Sequence, residues 1–102
     1  MDTLDREGAE LVRKRREERM RYEVLGMVCR AARRDPNEAV DCAPVTETIG
    51  VWCEELFRVL DFLDRAGMVR NCGPGPRVCI TPRGIDYLYG EGRRHKSIPD
   101  EP

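Results

Sequence analysis

The sequence predicts a small, mainly helical domain with one β-hairpin, an α+β fold, on three observations. The first third of the chain contains no proline and carries apolar residues at helical spacing. A second segment with one apolar face ends at a glycine. Beyond it, two short β-type segments flank a run rich in glycine and proline.

The first helix is predicted from Thr3 towards Asp35-Pro36, because the residue before a proline disfavours helical backbone. Residues 13–19 contain no apolar side chain, so this part of the helix should be solvated. From Met20 onward, apolar residues form two adjacent stripes that predict a broad buried face.

The middle of the chain predicts a polar connection and two helices. Residues 36–44 form the connection, and residues 45–49 predict a short helix that ends at Gly50. Residues 54–66 predict a longer helix, after which Gly67 takes the left-handed conformation. The apolar face of this helix consists of Leu56, Val59, Leu60 and Leu63.

The pattern then changes to that of a hairpin followed by a helix. Residues 68–70 and 77–80 are the two strand candidates. Thr81 is expected to cap a last helix, with Pro82 at its first position and Gly90 at its end.

The 102 residues are enough for one compact domain, expected at residues 20–90. A charged helical extension (residues 1–19) precedes it, and a flexible polar tail (residues 91–102) follows. Charged residues make up 36% of the chain, yet the net charge is −1. This balance excludes a polybasic binder and argues against simple disorder.

Residue usage gives no indication of an enzyme, a cofactor or a metal site. The five cysteines include no CxxC pair, and the only histidine, His95, lies in the tail. Neither a catalytic triad nor a glycine-rich phosphate-binding motif is present. The charged start of the chain argues against a secretory signal, and the longest apolar run, residues 24–29, is too short for a bilayer. A cytoplasmic protein is expected.

Three segments resemble the winged helix-turn-helix family. Residues 45–51 look like its first motif helix and glycine turn, and residues 56–69 are similar to its recognition helix running into the wing, the family's β-hairpin. Residues 80–88 resemble its exit from the wing into a last helix. The resemblance covers residues 20–90 and implies a winged helix, binding to double-stranded DNA, and transcriptional regulation. With the charged extension, the expected fold is a winged helix-turn-helix with an extended N-terminal helix.

The chain departs from the family at three positions of the motif helices. Thr46 stands where alanine is usual, and Trp52 stands where a small capping residue is usual. Glu55 replaces a neutral polar residue that commonly faces the phosphates.

Charge along the chain selects the candidate DNA contacts. Residues 36–66 hold two basic and seven acidic residues, so the helix that resembles the recognition helix is acidic. Arg58 is its one candidate base reader, and the alternative is that Arg58 is a solvated surface residue. Arg70 and Arg77 of the hairpin and Arg83 after it are expected to contact phosphates. The alternative is that they are solubilising charges at a sheet edge.

A second hypothesis is a winged-helix protein-interaction module that does not bind DNA. Trp52 and Phe57 would anchor a protein partner, and the acidic side chains of Glu54 and Glu55 would surround them. The competing interpretation of Trp52 is a buried core residue.

Two further features leave alternatives open. The N-terminal helix could form a homodimer through Leu4, Leu11 and Val12, could be a solvated face, or could contact DNA. Cys72 and Cys79 could form a reversible disulfide across the wing, or could be buried thiols that act as small apolar residues.

Overall fold

The computed structural model describes residues 3–50 and 53–90, which form an α+β fold of helices around a three-stranded antiparallel sheet. The helices are α1 (Thr3–Ala31), α2 (Val45–Ile49), α3 (Cys53–Arg65) and α4 (Pro82–Tyr89). The strands are β1 (Ala39–Asp41), β2 (Val69–Asn71) and β3 (Arg77–Ile80). The predicted tail, residues 91–102, lies outside the described residues.

Helix α1 ends four residues before the predicted stop. Arg33 and Arg34 adopt positive φ angles of 54° and 60°, so the helix terminates before the proline is reached. The backbone N–H of Arg34 donates to the carbonyl of Cys29 at 2.9 Å, which satisfies a carbonyl left open at the helix end. The Arg34 guanidinium also lies 3.9 Å above the ring centre of Tyr89 in α4.

Strand β1 corrects the prediction that residues 36–44 form a connection without a strand. It pairs antiparallel with β3, with Val40 opposite Val78, and makes β3 the central strand of the order β1-β3-β2. The strand has three residues and only Val40 turned inward, so it carries too little apolar pattern to be recognised locally. Its conformation depends on a partner almost 40 residues away.

The helices around Gly50 and Gly67 follow the predicted pattern. Both glycines have φ of +76°, the left-handed conformation that glycine adopts without a Cβ penalty. The predicted apolar face of α3 is confirmed, since its four residues are buried.

Helix α4 is capped as predicted. The Thr81 hydroxyl accepts a hydrogen bond from the backbone N–H of Gly84 at 3.0 Å and donates to the carbonyl of Gly67 at 2.6 Å. A Cβ on Gly84 would lie 2.2 Å from the carbonyl oxygen of Met68, so only glycine allows α4 to lie this close to the start of β2. These contacts fix the hairpin relative to both flanking helices.

One core joins α1, α3, the sheet and α4. The charged half of α1 is exposed at residues 13–16, whereas burial begins at Met20, as the sequence predicts. None of the helices in the described ranges has both the length and the apolar character needed to cross a bilayer. The largest fully buried side chains include Val24, Leu25, Val28, Leu56, Leu63 and Ile80.

Candidate nucleic-acid interface

The hairpin of β2 and β3 has two chemically different faces. Arg70 lies opposite Cys79, and the backbone N–H of Cys72 donates to the carbonyl of Arg77 at 3.1 Å. Because side chains alternate along a strand, these four residues share the outer face of the hairpin. The opposite face packs on the core through Val69, Val78 and Ile80.

Arg70 and Arg77 are both exposed on this outer face. The aliphatic stem of Arg77 lies over Gly73, where an added Cβ would be 3.4 Å from its Cδ. Asp41 is opposite Arg77 on β1, but one of its carboxylate oxygens accepts from the backbone N–H of Ala43 at 3.0 Å. Among the described residues, neither arginine has an acidic partner within 4 Å.

Arg83 is exposed in the first turn of α4, close to the hairpin's starting point. Its Cδ would lie 3.6 Å from a Cβ on Gly67, so its stem runs beside the turn that leads into β2. No acidic side chain of residues 8–48 or 53–90 forms an ion pair with it. The three predicted phosphate contacts are therefore all exposed, two of them on one sheet face.

The arginines of α3 have a different environment. Nε of Arg58 lies 3.8 Å from Oε1 of Glu17 in α1, and 67% of the Arg58 side chain remains exposed. Arg65 pairs with Asp61 one turn earlier at 3.1 Å. Exposed ion pairs contribute little free energy, so Arg58 stays accessible, but a carboxylate competes for it.

Glu54 and Glu55, the two acidic residues of α3 that the sequence predicts as partner contacts, have different environments. Glu54 is exposed, whereas the Glu55 side chain is only 18% exposed and pairs with Arg16 of α1 at 3.7 Å. Glu55 therefore faces α1. Phe57 is 52% exposed on the outer side of α3. Trp52 lies outside the described residues.

One arginine of α1 is buried against α3, although its charge predicts an exposed position. Arg21 is 7% exposed, and its guanidinium carbon lies 3.6 Å from the ring centre of Phe62. One of its terminal nitrogens is 4.0 Å from a carboxylate oxygen of Glu17. Arg21 lies three and four residues before the buried Val24 and Leu25, so helical spacing predicts that it shares their face, but its partner Phe62 is distant in sequence.

A groove of about 380 Å³ lies between α1 and α4. Tyr22 and Met27 line it from α1, and Leu88 and Tyr89 line it from α4. The described part of the chain contains no cluster of three His, Cys, Asp or Glu side chains that could hold a metal ion.

Two cysteines, Cys72 and Cys79, lie on the same face of the hairpin as Arg70 and Arg77. Cys79 is buried, Cys72 is partly exposed, and their sulfur atoms are 3.0 Å apart. Burial raises the pKa of the nearby Cys42 thiol from 9.0 to about 11, helped by the charge of Asp41 and by Cys72. Cys53 is exposed at the first position of α3.

Comparison of the chain with family models, with curated proteins and with solved structures finds no match.

Proposed function

We propose that this chain is a winged helix-turn-helix protein that binds double-stranded DNA as a transcriptional regulator. Arg70, Arg77 and Arg83 contact the phosphates, and Arg58 is the candidate base reader. The observation that carries the proposal is the exposure of the three arginines on and beside the hairpin without acidic partners among the described residues. The order of short helix, glycine turn, second helix, hairpin and last helix supports the family assignment.

The charge distribution indicates which elements approach the duplex. The outer side of α3 carries Glu54, Asp61 and Asp64, which the DNA phosphates repel. The hairpin has two arginines and no exposed acid of its own. Contact through the hairpin and the start of α4 places the positive side chains against the backbone.

Fluorescence anisotropy of a labelled random-sequence duplex tests the proposal. With three phosphate contacts, the affinity should fall about 40-fold between ~50 and ~200 mM salt. A folded protein that shows no binding at tens of micromolar in the lower salt would contradict the proposal, because non-specific electrostatic affinity is strongest there.

The exposure of Phe57 supports a second candidate function, a protein-interaction module. This aromatic side chain is half exposed on α3, between the carboxylates of Glu54 and Asp61 one turn before and after it. An exposed aromatic residue with acidic neighbours suits a partner with an apolar and basic surface.

Affinity capture from cell extract with Phe57→Asp and Tyr89→Asp separates this candidate from the first. Tyr89 is also half exposed but lies on α4, so it is a matched control. A partner that the wild type and the Tyr89 variant retain, and that the Phe57 variant loses, would support the module. Equal capture by all three proteins would exclude Phe57 as the anchor.

A further inference from the structure

We infer that Cys72 and Cys79 form a redox-active thiol pair, which a low-molecular-weight disulfide converts into a cross-strand disulfide of the hairpin. The distance of 3.0 Å between the two sulfur atoms carries the inference. Non-bonded carbon atoms rest at about 3.5–4.0 Å, and sulfur is larger, so these thiols are already in close contact. Bond formation requires a further approach of roughly 1 Å.

The register explains why the two sulfurs meet. Cys72 is opposite Arg77, and Cys79 is two residues beyond Arg77 on the same strand and the same face. The two cysteines are thus diagonal neighbours across an antiparallel pair, and the distance between their sulfur atoms shows that the two side chains turn towards each other. Cys79 is held on the central strand between β1 and β2, so the partner position is fixed.

Accessibility assigns the two thiols different roles. Cys72 is partly exposed near the end of the hairpin, whereas Cys79 is buried. A reagent in solution therefore reaches Cys72 first, and Cys79 acts as the resolving thiol. The partial burial of Cys72 and its hydrogen bond with Cys79 raise its pKa above 9.0, against the lowering effect of Arg70 and Arg77. The thiolate is consequently the minor form at neutral pH, and the exchange should be faster at alkaline pH.

The reaction balances as two thiol–disulfide exchanges. The Cys72 thiolate attacks one sulfur of glutathione disulfide, forms a mixed disulfide and releases one glutathione thiolate, which takes up a proton. Cys79 loses its proton and attacks the Cys72 sulfur, which releases the second glutathione. The protein loses two electrons and two protons, and the disulfide reagent becomes two thiols.

The bond would join the two strands that carry Arg70 and Arg77. Oxidation would then restrain the spacing of these arginines. This consequence rests on the proposed DNA function, whereas the thiol pair does not, and its test requires no DNA.

The test is to equilibrate the full chain in glutathione buffers of increasing oxidising strength, quench with acid, and alkylate under denaturing conditions. We expect the reduced protein to take up five alkyl groups, one for each cysteine, and the oxidised protein to take up three. Trypsin cleaves after Arg77, between the two cysteines, so the disulfide should link peptide 71–77 to peptide 78–83.

Two variants complete the test. Cys72→Ser should keep its four remaining thiols free of an internal disulfide, and Cys53→Ser, the exposed control, should still lose two thiols. Linkage of other cysteines, a stable glutathione adduct on Cys72, or five free thiols in the most oxidising buffer would overturn the inference. If Cys72→Ser does not fold, the linked peptides of the wild type decide the question alone.

Discussion

Arg77 is the single residue whose removal most directly probes phosphate contact by the hairpin. Its stem is packed over Gly73, so the guanidinium is presented with little loss of side-chain entropy. We expect Arg77→Ala to weaken binding to all duplex sequences alike and to lower the salt slope by about 1. The measurement is anisotropy at several salt concentrations. Arg65→Ala is the control, since Arg65 pairs with Asp61 on α3 and should leave the slope unchanged.

The buried Cys42 thiol makes the stability of the fold depend on pH. Its pKa is raised from 9.0 to about 11, first by burial, so the thiol stays neutral in the folded protein while it ionises in the unfolded chain. The contribution of the neutral Cys42 thiol to the free energy of unfolding is complete below pH 9 and is lost as the pH rises from 9 to about 11. A shift of this size corresponds to about 2–3 kcal/mol.

Urea unfolding of the wild type and Cys42→Ala at a series of pH values measures this effect. The wild type should lose stability more steeply than the variant over that alkaline window, whatever the packing cost of the substitution. Cys53→Ala removes an exposed thiol and should follow the wild type. Parallel curves for the wild type and Cys42→Ala would show that Cys42 titrates normally.

At the scale of the elements, Thr81 couples the end of α3 to the beginning of α4. Its hydroxyl caps α4 at Gly84 and also donates to the carbonyl of Gly67. We expect Thr81→Ala to lower the free energy of unfolding by about 1–2 kcal/mol. Thr81→Ser keeps the hydroxyl and should lose much less. Thermal or urea unfolding measures both, and equal losses would show that the methyl group, and not the hydrogen bonds, matters.

The elements also show how far local sequence determines this fold. The apolar stripe of α3, the left-handed Gly67 and the cap at Thr81 are local patterns, and the sequence predicts all three. Strand β1 is recognised only through its pairing with β3. Helix α1 ends at two arginines in the left-handed conformation, where glycine or asparagine is the usual sequence signal for a helix end. Non-local pairing and an unusual cap residue are the physical reasons for these two differences.

The candidate site also combines features that local sequence predicts with features that depend on packing. The exposure of Arg70, Arg77 and Arg83 follows from strand alternation and from a first-turn position. The pairing of Glu55 with Arg16 and of Arg58 with Glu17 depends on the packing of α1 against α3, which no local pattern contains. The sequence predicts Cys72 and Cys79 on opposite sides of the hairpin, but the strand register is needed to place their sulfur atoms 3.0 Å apart.

At the scale of the whole molecule, the N-terminal half of α1 remains the predicted dimer contact. Leu11 and Val12 are 50% and 68% exposed on a helix segment that is otherwise charged. We expect the double variant Leu11→Glu, Val12→Glu to weaken self-association at least tenfold, or about 1.4 kcal/mol, in sedimentation equilibrium. Arg15→Glu alters charge on the same exposed segment without removing apolar surface and is the control. A wild type that is monomeric at all concentrations would remove the dimer from consideration.

DNA contact through the hairpin and α4 is tested by the salt dependence of duplex binding by the wild type and by the triple variant Arg70→Ala, Arg77→Ala, Arg83→Ala. All three side chains are exposed, so the variant should keep the fold, which circular dichroism and unfolding curves check. DNA binding through the hairpin and α4 predicts salt-sensitive affinity in the wild type and almost complete loss in the variant. Equal binding and equal salt slopes in the two folded proteins would place the DNA contact elsewhere, and no binding by either would favour the protein-interaction face around Phe57.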